Sequence, residues 1–119
     1  MATILIVDDE EDIRASMRPL LEADEHRVLE ATDGAEAMHC WRSLTLDVIM
    51  TDFSMPRMNG QELIQAVASQ RPAFPIMLMS CGIEEAVLLC ILHCFPSVRY
   101  LPKQLVYARL RDYVRDALR

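Results

Sequence analysis

The chain has 119 residues, of which 52% are hydrophobic and 25% charged, and its formal net charge is −6 at pH 7. These values are typical of a single globular domain over residues 1–119 and exclude a disordered chain. The negative charge argues against a direct nucleic-acid interface. No apolar run approaches the roughly 18 residues of a membrane span, so no membrane insertion is expected.

Apolar runs alternate with helical patterns five times, which predicts five strands and five helices. In chain order these are strand 3–7, helix 10–23, strand 27–31, a helix from the N-cap Asp33 to about residue 42, strand 47–51, a helix from the N-cap Asn59 to residue 71, strand 75–80, helix 83–95, strand 98–101 and helix 105–118. Glu36 and Glu62, each three residues after its N-cap, predict capping boxes. The strict alternation predicts an α/β fold, a doubly wound five-stranded parallel sheet with helices on both faces.

Three aspartates lie at the ends of two predicted strands. Asp8 and Asp9 follow strand 3–7, and Asp52 follows strand 47–51. The carboxyl ends of parallel strands face a crevice where ligands bind, and carboxylates gathered there repel one another unless a cation lies between them. Oxygen ligands alone favour Mg²⁺ or a similar hard ion. The simpler alternative is that Asp9 caps a helix and Asp52 lies in a solvated turn.

Two further polar residues are expected at the same edge of the sheet. Ser80 ends the fourth strand and Lys103 follows the fifth. Carboxylates with a metal, a hydroxyl and a lysine indicate a phosphoryl site, in which one carboxylate attacks phosphorus and the cations neutralise the phosphoryl oxygens. The alternatives are that Ser80 only caps its strand and that Lys103 is a surface lysine.

With these residues in this order and spacing, the chain resembles a response-regulator receiver domain of bacterial two-component signalling over essentially its full length. The resemblance rests on four motifs: Val7-Asp8-Asp9-Glu10, the run from Asp52 to Gly60, Ser80, and Tyr100-Leu101-Pro102-Lys103. It implies the flavodoxin-like strand order 2-1-3-4-5. It also implies a cytoplasmic protein that accepts a phosphoryl group and loses it at most by self-hydrolysis, rather than a turnover enzyme.

The resemblance assigns the chemistry to the aspartates. Asp52 would be the phosphoacceptor, taking the phosphoryl group from a histidine kinase or a histidine phosphotransfer protein. Asp9, Asp52 and the main-chain carbonyl of Ser54 would bind Mg²⁺, and Asp8 would hold a metal-bound water. Mg²⁺ commonly keeps several waters in such sites because it dehydrates reluctantly.

The resemblance also implies a switch. Lys103 would pair with the phosphoryl oxygens, Ser80 would move to hydrogen-bond them, and Tyr100 would rotate into the vacated space. The surface of the fourth helix, fifth strand and fifth helix would carry the signal. Gly60 is expected to shape the loop by adopting backbone angles that other residues resist.

Two departures from the family affect these expectations. Gln104 follows Lys103 where the family usually has a proline after a cis bond, and a cis bond to a residue other than proline costs roughly 3 kcal/mol. We therefore predict a trans peptide bond, or a visibly strained cis one. In the helix 83–95, six consecutive residues from Val87 to Leu92 are apolar, so apolar side chains must point in every direction. This predicts a homodimer or effector interface, the alternative being a displaced, more deeply buried helix.

Competing functions are weaker. A degenerate receiver that binds partners without phosphorylation is the main alternative, although the intact acidic residues argue against it. An aspartate-nucleophile phosphatase needs a second aspartate two residues after the nucleophile, where this chain has Ser54. A flavin-binding protein needs a phosphate loop after the first strand, which is missing.

The cysteines show no pairing pattern. They are four in number: Cys40, Cys81, Cys90 and Cys94. We expect reduced, mostly buried thiols in a cytoplasmic protein, and no signal peptide is visible. Cys90, His93 and Cys94 lack a fourth ligand, so the sequence does not predict a zinc site.

Overall fold

The computed structural model describes all residues, 1–119, and contains the ten predicted elements. The strands are β1 (Thr3–Val7), β2 (Arg27–Ala31), β3 (Val48–Asp52), β4 (Ile76–Ser80) and β5 (Val98–Pro102). The helices are α1 (Glu11–Glu22), α2 (Gly34–Ser43), α3 (Gly60–Gln70), α4 (Glu85–Cys94) and α5 (Val106–Ala117), with a short 3₁₀ helix (Lys103–Leu105) before α5. Most predicted bounds are confirmed to within one or two residues.

The five strands form one parallel sheet in the order β2-β1-β3-β4-β5, which confirms the predicted topology. Val7 lies opposite Ala31 on one side and Thr51 on the other, so the carboxyl ends of β1 and β3 are adjacent. The chain changes direction across the sheet at β1. The crevice expected at such a switch point therefore lies where Asp8 and Asp52 emerge.

Both faces of the sheet are covered by helices, which explains why the central strands β1, β3 and β4 are apolar without alternation. On one face, Leu5 and Ile49 pack in a cluster with residues of α2, α3 and α4. On the other face, Ile4 and Met50 pack in a cluster with residues of α1 and α5. The two layers of helices hold the strand ends in fixed register, so side chains just beyond β1, β3 and β5 are placed by the core.

The predicted helix caps are confirmed, one of them with a correction. Asn59 accepts from the Glu62 amide at 2.9 Å, and the Glu62 carboxylate accepts from the Asn59 amide at 3.0 Å, a complete capping box. Asp33 likewise accepts from the Glu36 amide at 2.9 Å. The predicted second half of that box is wrong, because the Glu36 carboxylate accepts from the Thr32 amide at 3.2 Å and not from Asp33.

Helix α4 is shorter than predicted and lies on the surface. Ile91 is its one buried residue, whereas Leu89 is 57% exposed. A helix that is apolar on every side can bury only the stripe that faces the core. Since Ile91 alone is buried, α4 is not the displaced, more deeply buried helix of the alternative. The expectation of mostly buried thiols is also wrong. Cys90 and Cys94 are exposed because they lie on the outward side of α4. Cys81, before α4, is exposed as well, and Cys40 is half-buried.

Two other backbone features can be checked directly. No peptide bond is cis, so the trans bond predicted between Lys103 and Gln104 is confirmed. None of the helices combines the length and apolar composition needed to cross a bilayer.

Candidate functional site

The carboxyl edge of the sheet brings together side chains from four strand ends. Asp8 follows β1, Asp52 ends β3, Ser80 ends β4 and Lys103 follows β5. Asp52, Ser80 and Lys103 line a cavity of about 300 Å³. Its lining residues are Asp9, Glu10, Asp52, Ser54, Ser80, Cys81, Gly82 and Lys103. All the residues predicted for the site except Asp8 and Tyr100 line this cavity, and Asp8 lies directly beneath it against Lys103.

Lys103 joins the acidic residues. Its Nζ atom lies 3.0 Å from Asp8 Oδ2, 3.4 Å from Asp52 Oδ1 and 3.7 Å from Glu10 Oε1. The lysine side chain is 10% exposed and that of Asp8 is fully buried. A single ammonium therefore faces the exposed carboxylate of Glu10 and the buried carboxylates of Asp8 and Asp52, and charge interactions with the buried pair are stronger than in water.

Burial and repulsion perturb the ionisation of Asp52. Burial, and then the negative charge of Asp8, raise the pKa of Asp52 to about 6, while Lys103 and the Phe53 amide oppose the rise. Burial alone would lower the pKa of Lys103, but its hydrogen bond to Asp8 and the charge of Asp52 outweigh this and raise it. Above pH 6 the site therefore holds an ionised Asp52 beside a fully charged Lys103.

Three acidic residues form a group that could hold a divalent cation. Carboxylate oxygens of Asp8, Asp9 and Glu10 lie within 4.8 Å of one another. Asp8 Oδ2 is buried and lies 3.0 Å from Lys103 Nζ, while Asp8 Oδ1 accepts from the Glu10 amide at 2.9 Å. An all-oxygen set of carboxylates fits a hard ion.

Glu10 is a residue for which the sequence predicted no role. The structure places its carboxylate both in this acidic group and 3.7 Å from Lys103. The signal for it was present in the run Asp8-Asp9-Glu10 directly after an apolar strand. A third acidic residue directly after such a strand is expected to lie in the same crevice as the first two.

The two predicted switch residues, Ser80 and Tyr100, differ in their position relative to the cavity. Ser80 Oγ donates to the Gly82 carbonyl at 2.8 Å and accepts from the Gly82 amide at 3.1 Å, so the hydroxyl is held by its own loop and not by Asp52. Tyr100 is half-buried on β5 and packs against the cluster shared with α4. Its side chain does not line the cavity.

Gly60 packs against the end of β3, and the need for glycine there differs from the expected one. Its φ angle is not positive, so the expectation of unusual backbone angles is wrong. A Cβ atom at this position would instead lie 2.3 Å from the Asp52 carbonyl oxygen and 2.9 Å from Phe53 Cα. The residue of this loop with a positive φ is Arg57, at 65°, and its guanidinium pairs with Asp33 at the N-terminus of α2.

Comparison with known proteins agrees with this geometry. The family model described as the response regulator receiver domain matches residues 4–115. The chain is 32% identical over 117 residues to protein-glutamate methylesterase/protein-glutamine glutaminase 2 of Nitratidesulfovibrio vulgaris, covering 97% of this chain and 32% of that protein. It is 34% identical over 82 residues to the transcriptional regulatory protein PhoP of Bacillus subtilis, covering 69% of this chain and 34% of that protein. The chain thus spans about a third of the length of these relatives.

Solved structures give the same result for the fold. A response regulator receiver domain protein from Clostridium thermocellum superposes with a TM-score of 0.85 at 25% identity, over 99% of this chain and 94% of that one. The response regulator TrrA of Thermotoga maritima, solved with Mg²⁺ and BeF, superposes with a TM-score of 0.86 at 24% identity, over 99% and 100% of the two chains. The matched residues, the strand order and the acidic edge of the sheet agree, and the chain belongs to the response regulator receiver domains of two-component signal transduction.

Proposed function

We propose that this receiver accepts a phosphoryl group on Asp52 from a phosphohistidine of a histidine kinase or histidine phosphotransfer protein, in a Mg²⁺-dependent reaction in the cytoplasm. The observation that carries the proposal is the meeting of Asp52 and Lys103 at one cavity, with Lys103 Nζ 3.4 Å from Asp52 Oδ1 and 3.0 Å from the buried Asp8 Oδ2. A nucleophile, a neutralising cation and an open approach are the three requirements of phosphoryl transfer.

The attacking atom follows from the contacts of Asp52. Its Oδ1 atom accepts from the Phe53 amide at 2.9 Å and faces Lys103, which leaves Oδ2 to form the new bond to phosphorus. As that bond forms, the bond from phosphorus to the donor's imidazole nitrogen breaks, and the electron pair leaves with the imidazole. Lys103 then shares its charge with the phosphoryl oxygens.

Asp9, Asp52, the Ser54 carbonyl and a water on Asp8 would hold the Mg²⁺, and Glu10 lies close enough to add a carboxylate to the same group. When bound, Mg²⁺ neutralises charge on the transferred phosphoryl oxygens. The carboxylates of this chain orient that charge, and Lys103 holds Asp8 and Asp52 in place between transfers.

The output would be a change in Ser80, Tyr100 and the surface formed by α4, β5 and α5. Ser80 has both of its hydrogen bonds on Gly82, two residues away, so a phosphoryl oxygen that accepts from its hydroxyl must compete with the Gly82 carbonyl. Displacement of the serine would free space for Tyr100. Outward residues of α4 such as Leu89 are exposed, which supports a homodimer or an effector contact there.

The test is intact mass after incubation with acetyl phosphate, with and without Mg²⁺. We expect a Mg²⁺-dependent gain of one phosphoryl group on the wild type and no gain on Asp52→Asn, which keeps the shape of the side chain. Asp9→Asn, at an exposed position, should fold normally and need much more Mg²⁺ for the same gain. Asp12→Asn, on the exposed side of α1, is the matched control and should behave as the wild type.

No gain in mass with any donor would contradict the proposal and favour the degenerate receiver, an interaction module that needs no phosphate. A gain that persists in Asp52→Asn would mean that another residue is the acceptor. The surface of α4 is tested separately by sedimentation of the phosphorylated wild type and Leu89→Glu. A self-associating wild type and a monomeric variant would support the homodimer.

A further inference from the structure

The outward side of α4 carries two thiols one helical turn apart. Cys90 and Cys94 are four residues apart in the helix, and both are free and exposed. Side chains with this spacing share one side of a helix, with Cβ atoms about 5–6 Å apart. The exposed His93 lies three residues after Cys90 and therefore borders the same stripe.

The two thiols affect each other's chemistry. The neighbouring Cys90 thiol, with a smaller contribution from burial, raises the pKa of the Cys94 thiol. No lysine or arginine lies on α4 to oppose this, and its first turn is acidic. Cys94 is therefore a neutral thiol at pH 7, which makes it a poor nucleophile, while two adjacent thiols remain good ligands once a metal displaces their protons.

We propose that Cys90 and Cys94 form a chelating site for a soft, thiophilic metal ion such as Cu⁺ or Cd²⁺, independent of the oxygen-lined site at Asp52. Binding breaks two S–H bonds, forms two S–metal bonds and releases two protons to solvent. With sulfur–metal bonds of about 2.3 Å, a single ion bridges sulfurs up to about 4.6 Å apart, within reach of side chains at this spacing.

The two sites select different ions. The oxygen ligands of Asp8, Asp9 and Glu10 favour hard cations, and the thiolates of α4 favour soft ones. His93 does not converge with the two sulfurs in this structure. A structural zinc site needs four ligands, which this helix does not supply. The site proposed here needs only the two sulfurs of one chain.

The test is a titration of the reduced protein with Cd²⁺ under nitrogen, in excess Mg²⁺ to occupy the acidic site, followed by the ultraviolet sulfur–cadmium charge-transfer band. We expect one Cd²⁺ per chain and the release of two protons. Cys90→Ser and Cys94→Ser should each weaken binding about 100-fold or more, since each leaves a single thiol and removes the chelate effect. Cys81→Ser, which removes the exposed thiol that lines the cavity at Asp52, is the control that separates the two sites and should bind Cd²⁺ as the wild type does.

Far-ultraviolet circular dichroism should be unchanged in all three variants, because the substituted side chains are exposed. The proposal is overturned if Cys90→Ser and Cys94→Ser both bind Cd²⁺ as tightly as the wild type, or if Cys81→Ser abolishes the band. Native mass spectrometry adds a second measurement. One ion on one chain supports the site, and one ion shared between two chains overturns a single-chain chelate.

Discussion

Replacing Asp52 by asparagine should stabilise the metal-free protein at pH 7. The carboxyl group has its pKa raised from 3.8 to about 6, so ionisation is harder in the folded state than in the unfolded one. Below pH 3.8 the Asp52 carboxyl group is protonated in both the folded and the unfolded state, so it does not change the free energy of unfolding. As the pH rises to about 6, the unfolded state ionises first and folding stability is lost. Above pH 6 the loss is complete, at about 3 kcal/mol from 1.36 kcal/mol per pKa unit.

Solvent in the cavity reduces this figure, so we expect Asp52→Asn to gain about 1–3 kcal/mol at pH 7. The amide oxygen can still accept from the Phe53 amide, and Lys103 keeps its partner Asp8. Urea unfolding followed by the fluorescence of Trp41, the one tryptophan, measures the gain in EDTA. Asp12→Asn serves as the surface control. A variant no more stable than the wild type at pH 7, or a gain that does not shrink towards pH 4, would refute the reasoning.

Three further predictions follow from the same edge of the sheet. Gly60→Ala should destabilise the fold by about 2 kcal/mol or more in urea unfolding, while Gly82→Ala, whose Cβ would meet no atom within 4 Å, should change stability by less than about 0.5 kcal/mol. Mg²⁺ should raise the melting temperature more at pH 8 than at pH 5, because protons compete for Asp52 below pH 6. Lys103→Gln should raise the pKa of Asp52 further, measured by carboxyl NMR titration, and slow its phosphorylation.

Much of the fold follows from local sequence signals. The β1 and β2 bounds agree with the prediction, and the apolar run of β1 ends abruptly at Asp8. The capping box at Asn59 fixes the start of α3 in the same local way. At Asp33 the local rule failed halfway, since the amide of Thr32 lies within reach of Glu36 and competes for its carboxylate. Such competition depends on how the chain enters the helix, which the pattern of residues does not specify.

The site, like the fold, was only partly predictable from local sequence signals. Asp8, Asp52 and Lys103 were predictable because each lies at the end of a buried strand, and parallel strand ends meet at one edge. The contact of Ser80 with Gly82 depends on the path of the loop after β4, which no spacing encodes. The orientation of α4 was equally hidden, because a helix that is apolar on every side gives no moment to show which stripe faces the core.

The charge balance at this edge explains why the fold keeps such a costly arrangement. Three carboxylates, from Asp8, Glu10 and Asp52, lie within 4 Å of one ammonium, and the raised pKa of Asp52 means that Lys103 does not offset both burial and repulsion. A divalent cation would supply the missing positive charge, and a phosphoryl group would add more negative charge at the same place. A site whose negative charge is incompletely neutralised before metal binding and phosphorylation responds strongly to either change. The instability of the empty edge is thus the physical basis of the proposed switch.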